Sequence, residues 1–431
     1  MRDGKPIRAT LLTWLAAGLA CLCLSAPSPA QTPAPAPHTG GPTRDEKWRQ
    51  DLRQMADGLA RNHHNAFFRV KREEFERAVG ELDAAIPALQ DHEIVARMTR
   101  IGAAIGDAHS GLGWPALFTR RYPLGLSWFK DGLYLTRTVA AHKQHLGSRL
   151  VKIGETDVRR AFELLRPFVA HENEPWLLIQ SPGYMTTPEF LHALRILPAP
   201  DRGRFTFEDA KGGRAALDLA PVVLSSIEWV SAVDPKDPAA PLYRRKGDLN
   251  YWFEYLADSK TLYVKYNRCA DMEGLPFEKF NEQVWEAAAK NTVERFVVDL
   301  RHNAGGNSAI FRPMLKAIGE RPEINRRGRL FALIGRGTFS SGFLNALELR
   351  KHTQALLVGE PTGQRPNAHG ELRNFTLTHS GLKVFYSTKF YKFSDEDTPS
   401  LMPDITVELA AADFFNGRDP VLAAVLAVRE K

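Results

Sequence analysis

Cysteine is scarce in this chain. Only three of its 431 residues are cysteines, and two of them, Cys21 and Cys23, lie in an apolar N-terminal run. The third, Cys269, has no partner for an internal disulfide once that run is set aside, and no Cys/His spacing typical of zinc is present. No glycine-rich turn or nearby histidine would activate Cys269, so we expect a buried structural thiol. The sequence therefore predicts neither a disulfide framework nor a cysteine nucleophile.

Charge of one sign is not concentrated anywhere in the sequence. The formal net charge is +7, but basic and acidic residues are interspersed and no basic-aromatic array occurs. We therefore expect no nucleic-acid partner. With 44% hydrophobic and 25% charged residues the composition is that of a globular protein, and the length predicts two to four domains.

Long apolar runs are limited to the N-terminus. Arg2, Lys5 and Arg8 precede an apolar stretch over 11–26, and small residues then lead to Ala30. This pattern predicts a signal peptide over 1–30, with an uncleaved anchor as the alternative, which the shortness of the run disfavours. No later segment reaches the about 18 apolar residues that a span needs. We expect an exported protein, periplasmic or secreted, with no membrane span after cleavage; its oligomeric state is left open.

The remaining sequence divides into four regions by pattern. A Pro/Gly-rich linker over 31–44 is followed by a helical region over 45–114, in which Trp48, Leu52 and Met55 recur at helical spacing. Strands and helices mix over 115–245, which we interpret as a PDZ-like or generic α+β region. From 246 to 431, apolar strands alternate with helices, which predicts an α/β core with a sheet covered on both faces. The expected fold class is α/β, or α+β over the whole chain. The core segments that we predict are strands at 262–266, 295–301, 330–334 and 355–358, and helices at 276–291, 310–318 and 341–351.

A turn of small residues carries Ser340 and Ser341 directly before one of the predicted core helices. A serine at a helix N-terminus is exposed by the turn, and the free N–H groups there can stabilise an oxyanion. Ser340 is the predicted nucleophile and Ser341 the alternative. The competing interpretation of Ser340 is a helix N-cap, a position that serine often takes.

Two adjacent glycines, Gly305 and Gly306, follow a predicted core strand. Glycine lets the backbone approach a ligand closely and direct its N–H groups at an oxyanion. We therefore predict an oxyanion or substrate-binding site formed by Gly305, Gly306 and the N–H of Ser341. The alternative is a plain strand-to-helix turn.

Four motifs in order resemble those of the S41 serine peptidases, the C-terminal-processing or tail-specific protease family. The segment 297–306, Val-Val-Asp-Leu-Arg-His-Asn-Ala-Gly-Gly, resembles the Asp-Leu-Arg-x-Asn-x-Gly-Gly turn of that family, and 338–341 resembles its nucleophile turn. Val-Gly-Glu-Pro-Thr at 358–362 and Met-Pro-Asp-Ile-Thr-Val at 402–407 are similar to its later strand ends. The resemblance implies an S41-type core of mixed sheet with flanking helices, polypeptide substrates cleaved through an acyl-enzyme, and no metal or cofactor.

One departure from the family changes the expected base. The tail-specific branch has a lysine 25 residues after the serine, where this chain has Arg365, and arginine cannot act as a neutral base near pH 7. The segment around His109, Asp-Ala-His-Ser at 107–110, is similar to the tricorn-like and retinoid-binding-protein-like branch. The resemblance implies His109 as the general base. Its supporting acid has no clear match; Asp395 and Glu396 are candidates by position, and Glu396 is the one we predict.

Two rival functions remain open on the sequence. The first is a catalytically inactive S41-like envelope protein that binds a peptide or a small hydrophobic ligand, which Arg365 and the unmatched acid favour. The second is an α/β-hydrolase esterase, because Thr338-x-Ser340-x-Gly342 approaches a nucleophile elbow. That fold needs an acid and then a histidine after the serine, but the last histidine, His379, precedes the candidate acids.

Overall fold

A computed structural model describes residues 41–114 and 118–429 of the chain. The predicted signal peptide and most of the linker lie outside the described residues. The described residues from Thr43 onward form one compact unit. No helix within the described ranges is long and apolar enough to cross a membrane.

Three helices begin the described chain, as the helical spacing predicted. At the first, a reciprocal capping box between Thr43 and Glu46 satisfies backbone donors that a helix start leaves free. Trp48, Leu52 and Met55 are buried on one face of this helix. The three helices are α1 (Arg44–Asn62), α2 (Arg72–Ala85) and α3 (Asp91–Ala103).

The middle region combines a seven-stranded sheet with three helices. The hydrogen-bonded order is β10-β4-β5-β7-β8, with β3 on β4 and β6 on β5, and every pairing is antiparallel. Its elements are β3 (Leu124–Phe129), β4 (Gly132–Thr138), β5 (Arg149–Ile153), β6 (Thr156–Asp157), α4 (Val158–Leu165), α5 (Glu174–Met185), α6 (Pro188–Ala193), β7 (Gly203–Glu208), β8 (Arg214–Leu219) and β10 (Val230–Ser231). Two short strands, β2 (Arg120–Arg121) and β9 (Val222–Val223), pair separately.

The N-terminal helices and the middle sheet share one hydrophobic core. Leu52 of α1, Leu135 of β4 and Phe190 of α6 belong to the same buried cluster. Helix α4 ends at Leu165, because Pro167 cannot continue the helical hydrogen bonds and the chain turns there into a single 3₁₀ turn.

The C-terminal core is a six-stranded sheet in the order β11-β12-β13-β14-β15-β18. The first pair is antiparallel and the other four pairings are parallel. Helices cover both faces, as the continuous apolar strands predicted. The elements are β11 (Tyr251–Leu256), β12 (Thr261–Tyr266), α7 (Phe277–Lys290), β13 (Arg295–Asp299), α8 (Arg312–Gly319), β14 (Leu330–Ile334), α9 (Ser340–His352), β15 (Leu356–Gly359), β18 (Ile405–Thr406), α10 (Ala411–Phe415) and α11 (Pro420–Ala427).

A long hairpin connects this core to the N-terminal region. Strands β16 (Asn367–Thr376) and β17 (Lys383–Lys392) pair antiparallel, and β17 also pairs with β1 (Gly111–Leu112). Asp51 of α1 accepts hydrogen bonds from the backbone of the hairpin turn at 379 and 380. The hairpin thereby holds the segment that follows α3 against the carboxyl edge of the core.

Candidate active site

Ser340 opens the helix that follows the central strand β14. Its φ is +49°, in the left-handed region that costs a non-glycine residue about 1–3 kcal/mol. The side chain of Gln364 holds this turn, because its Oε1 accepts the Ser340 N–H at 2.6 Å. The Ser340 hydroxyl has no hydrogen-bond partner among residues 41–114 and 118–429, and it lines an open cleft. The strained turn thus presents an unengaged hydroxyl.

Ser341 differs from Ser340 in the hydrogen bonding of its hydroxyl and of its backbone N–H. Its hydroxyl donates to the carbonyl oxygen of Gly306 at 2.7 Å and is already engaged. The N-cap residue Phe339 supplies no side-chain acceptor to the first turn of α9. The Ser341 N–H consequently has no acceptor within the described part of the chain, and the positive end of the helix is left open. This geometry favours Ser340 over Ser341 as a nucleophile, and Ser341 as an N–H donor.

Gly305 and Gly306 contribute differently to the turn opposite Ser340: the first allows a close approach of the two segments, and the second has an N–H that is free within the described residues. Both have positive φ, +117° for Gly305 and +134° for Gly306. A Cβ on Gly305 would lie 2.8 Å from the Cβ of Ser340, so only glycine allows this close approach. The Gly305 N–H donates to Oδ1 of Asn303 at 3.0 Å and is not free. The Gly306 N–H has no acceptor in the described ranges, so it can share an oxyanion with the N–H of Ser341.

His109 lies beside two carboxylates. Its Nδ1 is 3.7 Å from Oδ1 of Asp107, and a Glu172 oxygen completes a cluster whose atoms lie within 4.8 Å of one another. Asp107 is fully buried and accepts hydrogen bonds from the Ser110 hydroxyl (2.5 Å), the His109 backbone (2.9 Å) and Nε2 of His63 (3.1 Å). Nδ1 of His109 and Oε2 of Glu172 are buried with no hydrogen-bond partner.

This is also the one cluster in the described chain with three groups close enough to hold a metal ion. Since Asp107 already accepts three hydrogen bonds, the arrangement supports proton chemistry at His109 better than metal binding.

The three side chains have strongly perturbed pKa values. Burial lowers the pKa of His109, but the carboxylates of Asp107 and Glu172 outweigh it, and the net pKa is raised. Burial also opposes ionisation of Asp107, yet the nearby imidazole of His109 and the hydrogen bonds from His63 and Ser110 hold its pKa well below the usual range. Burial and the neighbouring Asp107 raise the pKa of Glu172 to about 7. The site thus pairs a basic imidazole with a carboxyl group that titrates near neutrality.

Glu172 reaches this cluster from the middle region because its neighbour Asn173 is fixed to the core. Asn173 caps α5 by accepting the Trp176 N–H, and its amide donates to the Thr362 carbonyl at 3.0 Å and to the Ser400 hydroxyl at 2.9 Å. No motif in the sequence points to Glu172. Its only local signal was an Asn-Glu-Pro helix start, which does not indicate what the preceding residue contacts.

An aromatic stack joins the histidine to the serine turn. The Phe339 ring, immediately before Ser340, stacks on both the His109 ring and the Trp176 ring. The centroid distances are 4.6 Å and 3.9 Å, and the planes are inclined by 25° and 10° respectively. Because one residue contacts both the imidazole and the turn, their relative position is fixed by packing. Neither Phe339 nor Trp176 was predicted to have a part in the site.

His109 and Ser340 line the same cleft, which has a volume of about 720 Å³. Gly306, Ser341 and His369 line it as well. Burial lowers the pKa of His369 to about 4, which makes it a weaker base than His109. The structure therefore brings together the predicted nucleophile, the predicted base and two free N–H donors.

Glu396 is not brought into this arrangement. It is exposed, its backbone N–H donates to the Ser394 hydroxyl, and it does not line the cleft. The loop after β17 carries it away from His109, whose acidic neighbours are Asp107 and Glu172. Arg365 is also outside the cleft and is paired with Asp397 at 2.7 Å.

Sequence comparison identifies no relative: no family model matches the chain, and no curated protein matches it significantly. Structural comparison does find similar chains. Mature CPAF matches with a TM-score of 0.60 at 12% identity, over 88% of this chain and 96% of that one. A CPAF mutant matches with a TM-score of 0.63 at 10% identity, over 89% and 97% of the two chains. The photosystem II D1 C-terminal processing protease matches less closely, with a TM-score of 0.40 at 12% identity, over 85% and 94%.

The chain therefore has an S41 protease-like fold, and the fold expected from the four motifs is confirmed. At this level of identity the likeness establishes the fold alone.

Proposed function

We propose that this protein is a serine-type peptidase with Ser340 as nucleophile and His109 as general base. The observation that carries the proposal is the convergence of three features in one cleft. These are an unengaged serine hydroxyl on a strained turn, an imidazole beside two carboxylates, and two backbone N–H groups without acceptors.

In the proposed reaction the Ser340 oxygen attacks the carbonyl carbon of a peptide bond while His109 takes the hydroxyl proton. The N–H groups of Gly306 and Ser341, at the positive end of α9, stabilise the negative charge that develops on the carbonyl oxygen. Protonated His109 then gives its proton to the leaving amine, and an acyl-enzyme remains on Ser340. Water, deprotonated by the same imidazole, releases the acid product.

Asp107 and Glu172 support the base in this scheme, in place of Glu396. Asp107 is held ionised by its hydrogen bonds and stabilises the imidazolium that forms during each proton transfer. Glu172 adds a second negative charge once it loses its proton. Both act on His109 and not on the substrate, so they are positioning residues.

Polypeptide substrates and export complete the proposal. CPAF, whose fold this chain shares, has been solved in complex with lactacystin. We therefore include lactacystin as a second active-site probe for this chain.

Export rests on the basic and apolar pattern over 1–30.

The direct test is hydrolysis of an unfolded protein by the purified chain, with the new termini identified by mass spectrometry. We expect cleavage that Ser340→Ala abolishes and that Ser308→Ala, a serine lining the same cleft, preserves. A folded wild-type protein that binds the unfolded substrate without cleaving it would favour the inactive, peptide-binding alternative. Cleavage that survives Ser340→Ala would refute the assignment of the nucleophile.

A further inference from the structure

A second polar centre lies on the opposite face of the core sheet from the serine. Side chains alternate along β12, so Tyr263 and Lys265 face one side and Val264 faces the other. Val264 packs in the same cluster as Phe343 of α9, whereas Tyr263 packs in the cluster on the other face. Lys265 and its neighbours are therefore separated from Ser340 by the sheet.

The cations nearest the sheet in this polar centre are paired with carboxylates. Lys265 is fully buried, with its Nζ 3.2 Å from Oδ1 of Asp299. Arg301 lies 2.6 Å from Asp299 and forms two hydrogen bonds of 2.9 Å to Asp419. Two cations thus face two carboxylates.

Arg244, at the edge of this centre, is not paired in this way. No carboxylate of the described residues forms a salt bridge with it, and its Nε is buried without a hydrogen-bond partner. Burial lowers its pKa, and the other cation acting on it is Arg137, which lowers the pKa further. Beside it, the Tyr243 hydroxyl is also buried and unpartnered. A cation in this position is costly unless an anion pairs with it.

His302 provides a donor next to Arg244. Lys265 can only donate, so the 3.3 Å contact between its Nζ and the Nδ1 of His302 makes Nδ1 the acceptor. The ring proton of neutral His302 therefore resides on Nε2, which has no partner in the described chain. Desolvation and the cations Lys265 and Arg301 hold the pKa of His302 well below its usual range, which keeps the ring neutral.

Two cavities meet at these residues. We call the first, of about 350 Å³, the polar cavity; its lining includes Arg268, Asn250 and Asn267 and no carboxylate. We call the second, of about 240 Å³, the apolar cavity; its single carboxylate, Glu360, is paired with Arg336 at 2.8 Å. Both cavities are lined by Tyr243, Arg244 and His302. The apolar side chains of the second cavity include Trp128, Phe129, Ile179, Val407, Leu409 and Phe414.

We propose that this pair of cavities binds a small amphiphilic carboxylate. Its carboxylate group lies against Arg244 and the Nε2–H of His302, and its apolar chain occupies the apolar cavity. The Arg244 guanidinium, which forms no salt bridge with a described carboxylate, and the N–H donor of His302 suit a carboxylate, since the planar guanidinium fork matches carboxylate geometry. The combined space falls within the about 300–1,000 Å³ that is usual for small-molecule pockets. This proposal is independent of the peptidase activity.

The test is a calorimetric titration of the purified chain with octanoate, with octan-1-ol as the chain without the charge and sulfate as the charge without the chain. We expect saturable binding of octanoate, and weaker binding of octanol and sulfate. Arg244→Gln is expected to weaken octanoate binding about tenfold or more, because a hydrogen bond to a charged group is lost. Arg159→Gln, which removes an exposed arginine on α4, serves as the matched control and is expected to have no effect.

Three outcomes would overturn the proposal. These are no octanoate binding by the folded wild-type chain, octanol or sulfate binding as tightly as octanoate, or an octanoate affinity that Arg244→Gln leaves unchanged. The ligand comparison on wild-type protein stands even if the variant fails to fold. Ser340→Ala is expected to bind octanoate like wild type, so failure of this proposal and failure of the peptidase proposal are separate results.

Discussion

Glu172 offers the sharpest quantitative test of the proposed base, because it acts on His109 through charge alone. The substitution Glu172→Gln keeps the size of the side chain and an oxygen that can accept from the backbone, but removes the titratable charge. In the wild type, His109 must lose a proton before it can act as a base. Its raised pKa therefore places the acid limb of the kcat/KM profile above the ordinary histidine value of about 6.5.

The size of the effect follows from the separation of the two groups. Two unit charges within 4.8 Å interact by about 3.5 kcal/mol at an effective dielectric constant of about 20, or about 2.5 pKa units. Because the pKa of Glu172 is itself about 7, its carboxylate is only partly ionised over the relevant range. The two groups titrate together, and we expect Glu172→Gln to move the acid limb down by about one to two pH units.

The same substitution has a consequence for stability. Because the pKa of Glu172 is raised in the folded protein, ionising its carboxyl group costs more free energy there than in the unfolded chain. The folded protein therefore loses stability as the pH rises from the unfolded pKa to the folded pKa of about 7. Removing the charge should therefore raise the free energy of unfolding above pH 7 by about 3 kcal/mol, with little change near pH 4.

The assay is kcat/KM for one peptide substrate from pH 5 to 9, together with denaturant unfolding at pH 4 and at pH 9. Glu189→Gln removes another buried carboxyl group with a raised pKa, on α6 beside Arg120, and should leave the acid limb in place. An unchanged acid limb in Glu172→Gln, with activity retained, would refute electrostatic coupling of Glu172 to the base.

Further predictions concern the serine turn and its surroundings. Ser340→Gly should abolish hydrolysis yet raise the free energy of unfolding by about 1 kcal/mol in denaturant titrations, because glycine relieves the positive φ. Gly305→Ala places a Cβ 2.8 Å from the Cβ of Ser340, so we expect loss of activity with a destabilisation of about 2 kcal/mol; an active, stable variant would contradict the described turn. Phe339→Leu removes the stack on His109 and should lower kcat about tenfold with a smaller change in KM, measured by steady-state kinetics. Arg365→Lys should not create a lysine base, because position 365 lies outside the cleft, so activity in that variant should still require His109.

The core of the fold was predictable because its signals are local. The strand at 330–334 is observed with the predicted bounds, and the helix predicted over 341–351 differs by one residue at each end. Continuous apolar runs identify buried strands, and Asp419 with Pro420 marks the start of the last helix, where the carboxylate of Asp419 accepts from Val421 and Leu422. Hairpin strand β16 was missed because it is an edge strand whose residues from 371 on are mostly exposed, which leaves no apolar alternation to detect.

The site was predictable only in part because it is assembled from distant segments. Ser340 and the two glycines follow strands whose carboxyl ends meet at one sheet edge, so their proximity follows from the topology. The pairing of Glu172 with His109 depends on the hydrogen bonds of Asn173 to the loop at 362 and 400, and no periodicity in the sequence encodes such a contact. Glu396 was chosen by its position after the serine, and position alone does not determine where a loop places an exposed side chain.

The most direct test of the central claim is labelling of the purified protein with a fluorophosphonate probe, followed by mass spectrometry to locate the adduct. The probe reacts only with an activated hydroxyl, so labelling reports the nucleophile and its base without any assumption about substrate. We predict one adduct, on Ser340, that is absent in Ser340→Ala and in His109→Gln, retained in Ser308→Ala, and reduced by prior treatment with lactacystin. An adduct at another residue, labelling that persists in His109→Gln, or no labelling of a folded wild-type protein would contradict the proposed serine–histidine mechanism.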